Sequence, residues 1–299
     1  EFSGAFIAGG NVTKTIRKGI IDPTPILGNP EILVWGMLSS LLAAALWLTV
    51  ASWMGWPVST THSIIGAIVG FAMVGIGVDA VNWSKIGTIV ISWVVSPMVG
   101  GTFSFLIMRS IQRFILDTDR PFRNAQRYAP LYIFFVGFLI SLVTLFKGLK
   151  HLEIELNIPQ SFLVALAFGS IIALIGRFLI DRLRMKEAES VHDQFAQIEK
   201  IFGVMMLFTA CAMAFAHGSN DVANGIGPMA AVVSVVQSGG EMAQKSALPL
   251  WILVVGGCGI ILGLATFGYR VIQTIGTKIT ELVPTRGFSA ELAAAAKVV

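Results

Sequence analysis

The chain has 299 residues, of which 55% are hydrophobic and only 13% are charged, and its formal net charge is +4. Soluble domains carry about 25% charged residues, so this composition excludes the soluble globular classes and indicates an integral membrane protein. The two cysteines, Cys211 and Cys258, both lie in apolar segments, which argues against a disulfide framework or a Cys-x-x-Cys metal site.

Apolar stretches recur along the whole chain. A membrane-spanning helix needs about 20 predominantly apolar residues, and five stretches meet that length: 32–54, 86–108, 129–148, 159–181 and 249–275. The sequence therefore predicts an all-α, polytopic helical bundle. We expect a multi-pass protein of a plasma or inner membrane.

The stretch 57–78, "PVSTTHSIIGAIVGFAMVGIGV", lies between two of these spans. Two clusters of basic residues flank this part of the chain: Lys14, Arg17 and Lys18, then Arg109, Arg113, Arg120, Arg123 and Arg127. The positive-inside rule places both clusters in the cytoplasm. Three full spans would separate the clusters, whereas two spans and a re-entrant hairpin keep them on one side. A polar hairpin tip is tolerated only where protein or a wet cavity surrounds it.

The beginning of this stretch has the chemistry of an anion site. Pro57 near a helix start, followed by Ser59, Thr60 and Thr61, offers hydroxyl groups and free backbone N–H donors. The alternative is an ordinary helix cap at the membrane interface. His62 fits a hydrogen-bonded structural histidine as well as a ligand.

A second polar motif, "HGSNDVANGIGP" at 217–228, stands inside an apolar run. An acid such as Asp221 at bilayer depth costs about 2.5–3.5 kcal/mol, so such residues mark functional sites. Asp221 and the amide oxygens of Asn220 and Asn224 suit Na⁺, and Ser219 adds a hydroxyl. The glycines and Pro228 predict a broken helix whose freed carbonyls bind a cation. The alternative is a polar helix–helix contact with close glycine packing.

Lysine and arginine are absent around both motifs. No Lys or Arg falls between Ala51 and Ser84, or between Ile201 and Gln244. A bound cation would then supply the positive charge that a bound anion needs. Anion binding would depend on the cation, as it does in a symporter.

Two pairs of windows indicate an internal duplication. Residues 4–16 align with 263–275, and residues 39–49 align with 289–299, in the same order in both halves. The chain thus reads as a fragment that lacks both ends of a duplicated protein. We expect three parts: 1–108, the C-terminal part of repeat 1 with the "PVSTTH" hairpin; 109–200, connecting helices and a cytoplasmic loop; and 201–299, the N-terminal part of repeat 2 with "SNDVAN".

The motifs "HGSNDVANGIGP", "PVSTTHSIIGAIVG", "EFSGAFIAGGNVTKTIRKGI" and "TRGFSAELAAA" resemble the inorganic phosphate transporter (PiT) family of sodium- or proton-coupled phosphate permeases. The resemblance covers nearly the whole chain and is weakest over 110–200. It implies two inverted repeats with the substrate between them, and a homodimer. The residues that it assigns to phosphate or ion binding are Ser59, Thr60, Thr61, Ser219, Asn220, Asp221, Asn224, Glu1 and Glu291.

The sequence and the resemblance together favour Na⁺-coupled phosphate symport by alternating access. In this reading Na⁺ is a coupling ion, and the protein has no cofactor and no nucleic-acid partner. The alternative is an H⁺-coupled phosphate permease or a sulfate permease of the same architecture. An intramembrane enzyme using His62 or His217 is disfavoured, because the spacing of the histidines indicates neither a metal site nor a catalytic triad.

Overall fold

The computed structural model describes residues 1–10, 19–22, 24, 28–145, 156–182, 191–239, 249–279 and 282–298. The first basic cluster, Lys14 to Lys18, and residues 11–16 of the first repeat window lie outside the described residues. Within the described ranges the regular structure is helical, apart from one antiparallel bridge between Ile21 and Val81.

The helices follow one another in chain order. They are α1 (Phe2–Ala8), α2 (Pro30–Trp53), α3 (Thr60–Gly75), α4 (Trp83–Ile111), α5 (Pro121–Val143), α6 (Ile158–Asp181), α7 (Val191–Gln237), α8 (Leu250–Gly263) and α9 (Pro284–Val298). Helix α4 continues through a π-helical turn, Gln112–Leu116, and α8 continues through Leu264–Gly268, Tyr269–Gln273 and Thr274–Ile279.

Six helical segments of the described chain are long and apolar enough to cross a membrane, and they confirm a multi-pass, all-α membrane protein. They are Pro30–Trp53, Trp83–Leu116, Pro121–Leu142, Ile158–Asp181, Phe195–Gln237 and Leu250–Ile279. Five of them overlap the stretches predicted from the sequence. The sixth, Phe195–Gln237, contains the polar motif.

The prediction of a broken helix at 217–228 is wrong, because α7 runs unbroken from Val191 to Gln237 with Pro228 inside it. Proline and glycine in a helix interior lower helix stability by about 3 and about 1 kcal/mol relative to alanine, and α7 remains helical despite both. A Cβ at Gly218 would overlap the backbone carbonyl of Glu1, and a Cβ at Gly256 of α8 would overlap Val222 and Ile226 of α7. The glycines therefore bring neighbouring chain segments close to α7.

The first of two compact units comprises Glu1–Ser92 and His217–Glu281. In it α2 and α3 pack antiparallel, since Gly36 lies against the ring of Phe71 and Ser40 Oγ donates to the carbonyl of Ala67 at 3.2 Å. This hairpin of two helices differs from the re-entrant hairpin that was predicted within 57–78, because α3 is a single helix over Thr60–Gly75. Helix α3, with 16 residues, is shorter than a full span. A second contact region of this unit is an apolar core from α1, α7 and α8, formed by Ala5, Val222, Ile226, Ala230, Ile252 and Leu253.

The second compact unit comprises Trp93–Ala216 and Leu282–Val299. Its core contains Ile111, Ile133, Ile180, Phe202 and Phe288, all nearly inaccessible to solvent. The backbones of α5 and α6 approach closely where Gly137 faces Gly169. The division of the sequence at 108 and 200 concerns the repeats and stays a prediction.

Candidate functional site

The two polar motifs of the sequence meet in the first unit. The hydroxyl of Thr60 donates to Asp221 Oδ2 at 3.1 Å. The side-chain amide of Asn224 donates to Thr60 Oγ1 at 3.1 Å and to Thr61 Oγ1 at 3.0 Å. The first turn of α3 thus lies directly against the Asp221–Asn224 turn of α7.

Local sequence explains why α3 begins at Thr60. Ser59 has an extended backbone (φ −83°, ψ 121°), and its Oγ accepts from the N–H of His62 at 3.2 Å. This is the geometry of a helix N-cap. Thr60 and Thr61 are consequently the first two helical residues, and no residue within α3 can accept from their N–H groups. Hydroxyls and N–H donors at this helix start favour an anion.

Asp221 and Asn224 lie on one face of α7, where Asn224 Nδ2 is 3.4 Å from Asp221 Oδ1. Asn224 is buried. Its Nδ2 faces the threonine hydroxyls, so Oδ1 is the group of Asn224 that can still serve a cation. Pro228 has no N–H, so the Asn224 carbonyl lacks its usual helical donor even though the helix is unbroken. Carboxylate, amide and carbonyl oxygens are the ligands of a hard cation.

His217 also belongs to this site, although from the sequence it is considered only as a residue of an enzyme and not as a binding residue. Its Nε2 lies 2.9 Å from Asp221 Oδ2, and its Nδ1 lies 3.0 Å from Glu1 Oε1. A neutral imidazole carries only one N–H. Two simultaneous hydrogen bonds therefore require either a charged imidazolium or a protonated carboxylic acid. The signal in the sequence was the spacing of four residues between His217 and Asp221, which places both on one helix face.

Glu1 reaches the site through this histidine. Its other oxygen, Oε2, is buried and has no hydrogen-bond partner among the described residues. Leaving a buried acceptor unpaired is costly. This oxygen is therefore a ready acceptor for a proton or a cation.

Three further residues were predicted from the sequence: Ser219, Asn220 and Glu291. Ser219 is buried in α7, one turn from Val222. Asn220 is exposed and makes no hydrogen bond to the threonines within the described contacts. Glu291 belongs to the second unit, where its Oε2 accepts from the hydroxyl of Thr209 at 2.5 Å. The cluster thus contains Thr60, Thr61, Asp221 and Asn224, with Ser59 as the cap and Glu1 joined through His217.

Comparison with known proteins agrees with this chemistry. The sequence profile of the phosphate transporter family matches residues 1–299. A Haemophilus influenzae protein named "Putative phosphate permease" is 48% identical over 302 residues, which cover 100% of this chain and 71% of the relative. The Arabidopsis thaliana "Inorganic phosphate transporter 2-1, chloroplastic" is 39% identical over 100% of this chain and 54% of its own length.

A solved structure is also similar. "The sodium-dependent phosphate transporter" shares 37% sequence identity with a TM-score of 0.86, over 99% of this chain and 71% of that one. Transporters and permeases are not enzymes, which agrees with the expectation from the sequence. The chain therefore belongs to the phosphate transporter family, and its function is phosphate transport across a membrane.

Proposed function

We propose that the protein is a Na⁺-coupled phosphate symporter that works by alternating access. The start of α3 binds phosphate through the hydroxyls and N–H groups of Thr60 and Thr61, with Ser59 as a further donor. Asp221 and Asn224 hold Na⁺. The observation that carries the proposal is the hydrogen bond from the Thr60 hydroxyl to Asp221 Oδ2, at 3.1 Å.

That hydrogen bond provides a physical reason for coupling. A threonine hydroxyl has a single proton to donate. While Thr60 donates to Asp221, it cannot donate to phosphate. A cation bound at Asp221 neutralises the carboxylate and weakens its hold on this proton, so the hydroxyl is free to turn to the anion. Phosphate affinity then depends on the presence of Na⁺.

Charge gives a second reason. Two unit charges of like sign 4 Å apart repel by about 4 kcal/mol at an effective dielectric constant of about 20. Phosphate at the start of α3 would lie next to the Asp221 carboxylate, and neither motif contains a lysine or an arginine. A cation between them turns this repulsion into attraction. The similarity to a protein titled a sodium-dependent phosphate transporter supports Na⁺ as that cation.

Proton coupling is the second candidate, because His217 contacts two carboxylates and Glu1 has a buried oxygen without a partner among the described residues. Phosphate is favoured over sulfate, since phosphate can donate a proton to a carboxylate acceptor and sulfate cannot. Ser219, Asn220 and Glu291 remain predicted contributors to binding. The inverted repeats and the homodimer also remain predictions.

The test is uptake of radiolabelled phosphate by the protein at its natural full length in proteoliposomes. Three conditions are compared: a Na⁺ gradient, a proton gradient and no gradient, each with and without excess sulfate. We expect Na⁺-driven uptake that sulfate does not compete away and that Asp221→Asn abolishes. Asp79→Asn, at an exposed carboxylate in a turn, is the matched control. Uptake driven by a proton gradient alone would contradict Na⁺ coupling. Inhibition of radiolabelled phosphate uptake by excess sulfate would contradict selectivity for phosphate.

A further inference from the structure

Arg270 is a basic side chain inside an apolar segment. It belongs to the candidate span Leu250–Ile279, whose mean hydropathy is 2.3. An arginine in a membrane span is costly and marks a functional position unless it lies at an interface. Its partner in the structure is the hairpin of α2 and α3, whose tip, residues 54–59, leads into Thr60.

The end of α2 shows why that partner matters. A helix leaves its last four carbonyls without helical donors. Here the carbonyl of Val50 accepts from Met54 N, that of Ala51 from Trp56 N, and that of Ser52 from Gly55 N, at 3.0, 2.8 and 3.1 Å. The last two bonds, with Gly55 at φ +72°, form a Schellman motif. The carbonyl of Trp53 is the fourth, and Arg270 Nη1 donates to it at 2.7 Å.

A second contact joins the tip to the same turn of α8. A Cβ built on Gly55 would lie 3.0 Å from Thr274 Oγ1 and 3.4 Å from the carbonyl of Arg270. The Thr274 hydroxyl donates to that carbonyl at 3.0 Å. The tip therefore rests on the Arg270–Thr274 turn, and a side chain at Gly55 would press against Thr274 and would need a left-handed backbone conformation.

The guanidinium is itself held in place. Arg270 Nε donates to the hydroxyl of Tyr269 at 3.1 Å, and Arg270 lies 5.7 Å from the Tyr269 ring and 5.9 Å from the Phe267 ring. Aromatic faces attract a cation. A planar guanidinium can bond several partners in a fixed geometry, whereas a lysine ammonium is a flexible point charge.

We propose that Arg270 is a positioning residue for phosphate transport. By completing the carbonyl bonding of α2, it fixes the hairpin tip on α8 and so holds Thr60 and Thr61 against Asp221 and Asn224. The positive charge also stabilises the negative end of the α2 dipole. This role deepens the proposed symport function and rests on it.

The first test separates positioning from folding. Arg270→Gln, Arg270→Lys and Arg270→Met are compared with Arg177→Gln, at a side chain that is 70% exposed. We expect Arg270→Gln and Arg270→Met each to raise the KM for phosphate about tenfold, with Arg270→Lys in between and the control unchanged. Gly55→Ala should raise KM in the same way, because its φ and its contact with Thr274 both oppose a side chain.

The second test follows the tip directly. Val58→Cys, in a background without other cysteines, reports how fast a maleimide labels the tip. We expect faster labelling with Arg270→Gln than with the native arginine. Unchanged labelling and an unchanged KM in the variants would overturn the positioning role while the native protein still transports phosphate. If the native protein takes up no phosphate but labelling still depends on Arg270, the symport proposal fails and the contact of Arg270 with the tip stands as purely structural.

Discussion

Thr60 and Asp221 lie 161 positions apart in the chain, and the hydroxyl of Thr60 donates to Asp221 Oδ2 at 3.1 Å. The same hydroxyl oxygen accepts from Asn224 Nδ2 at 3.1 Å. The Thr60 hydroxyl thus links the helix start, which suits an anion, to the Asp221 carboxylate, which suits a cation. Changing this one hydroxyl should therefore affect both ligands.

Replacing Thr60 with valine removes the hydroxyl and keeps the shape of the side chain. A hydrogen bond to a charged group contributes about 1.5–3 kcal/mol, so we expect the KM for phosphate and the Na⁺ concentration for half-maximal uptake to rise about tenfold or more. Thr60→Ser should retain most of the affinity. Both are measured as phosphate uptake against Na⁺ concentration.

The matched control for this change is Thr49→Val in α2. Among the described residues, the Thr49 hydroxyl donates to the carbonyl of Ala45 in its own helix, and it is exposed. Thr49→Val therefore removes the same hydroxyl group as Thr60→Val but leaves the cluster unchanged. Equal effects of Thr49→Val and Thr60→Val would argue against a role for the Thr60–Asp221 bond.

The sequence predicted much of this arrangement because its strongest signals are local. Apolar length identified the spans, and Ser59, Asp221 and Asn224 stood out as polar groups in apolar surroundings. What it could not give were contacts between distant segments. The course of α7 involves the approach of Glu1 to Gly218 and of Gly256 in α8 to Val222 and Ile226. The bond from Arg270 to Trp53 depends on where the hairpin tip lies.

Two glycines of α7 should respond in opposite ways to alanine. A Cβ at Gly218 would overlap the carbonyl of Glu1, whereas a Cβ at Gly225 meets nothing within 4 Å. We expect Gly218→Ala to push α1 away, lower the thermal stability and reduce uptake. Gly225→Ala should gain up to about 1 kcal/mol of helix propensity and keep transport. Thermal unfolding and uptake of the pair are the measurements, and equal behaviour would contradict the close approach of α1.

The start of α9 is held by a carboxylate of α7. Glu199 Oε2 accepts from the N–H of Thr285 at 3.0 Å, and Oε1 accepts from its hydroxyl at 2.9 Å. A side chain that caps a helix start contributes about 1 kcal/mol. We expect Glu199→Ala and Thr285→Val each to lower the melting temperature, and the double variant to lose less than the sum. Additive losses would show that the two side chains do not act on each other.

His217 should couple Glu1 to Asp221. Its two ring nitrogens lie 3.0 Å from Glu1 Oε1 and 2.9 Å from Asp221 Oδ2, so removing the ring leaves two carboxylates without their shared partner. We expect His217→Ala to reduce uptake strongly, and His217→Gln to retain part of it because a glutamine amide can donate to one of the two carboxylates.

A double-mutant cycle tests this coupling. Single variants His217→Gln, Glu1→Gln and Asp221→Asn, with the two pairs that contain His217, are all compared by Na⁺-dependent thermal stabilisation, because Asp221→Asn is expected to abolish uptake. Residues in one hydrogen-bond network show interaction energies of about 0.5–3 kcal/mol. We expect non-additivity in both pairs, since the same ring serves both carboxylates. Coupling to Asp221 but not to Glu1 would mean that Glu1 reaches the site by another route than through His217.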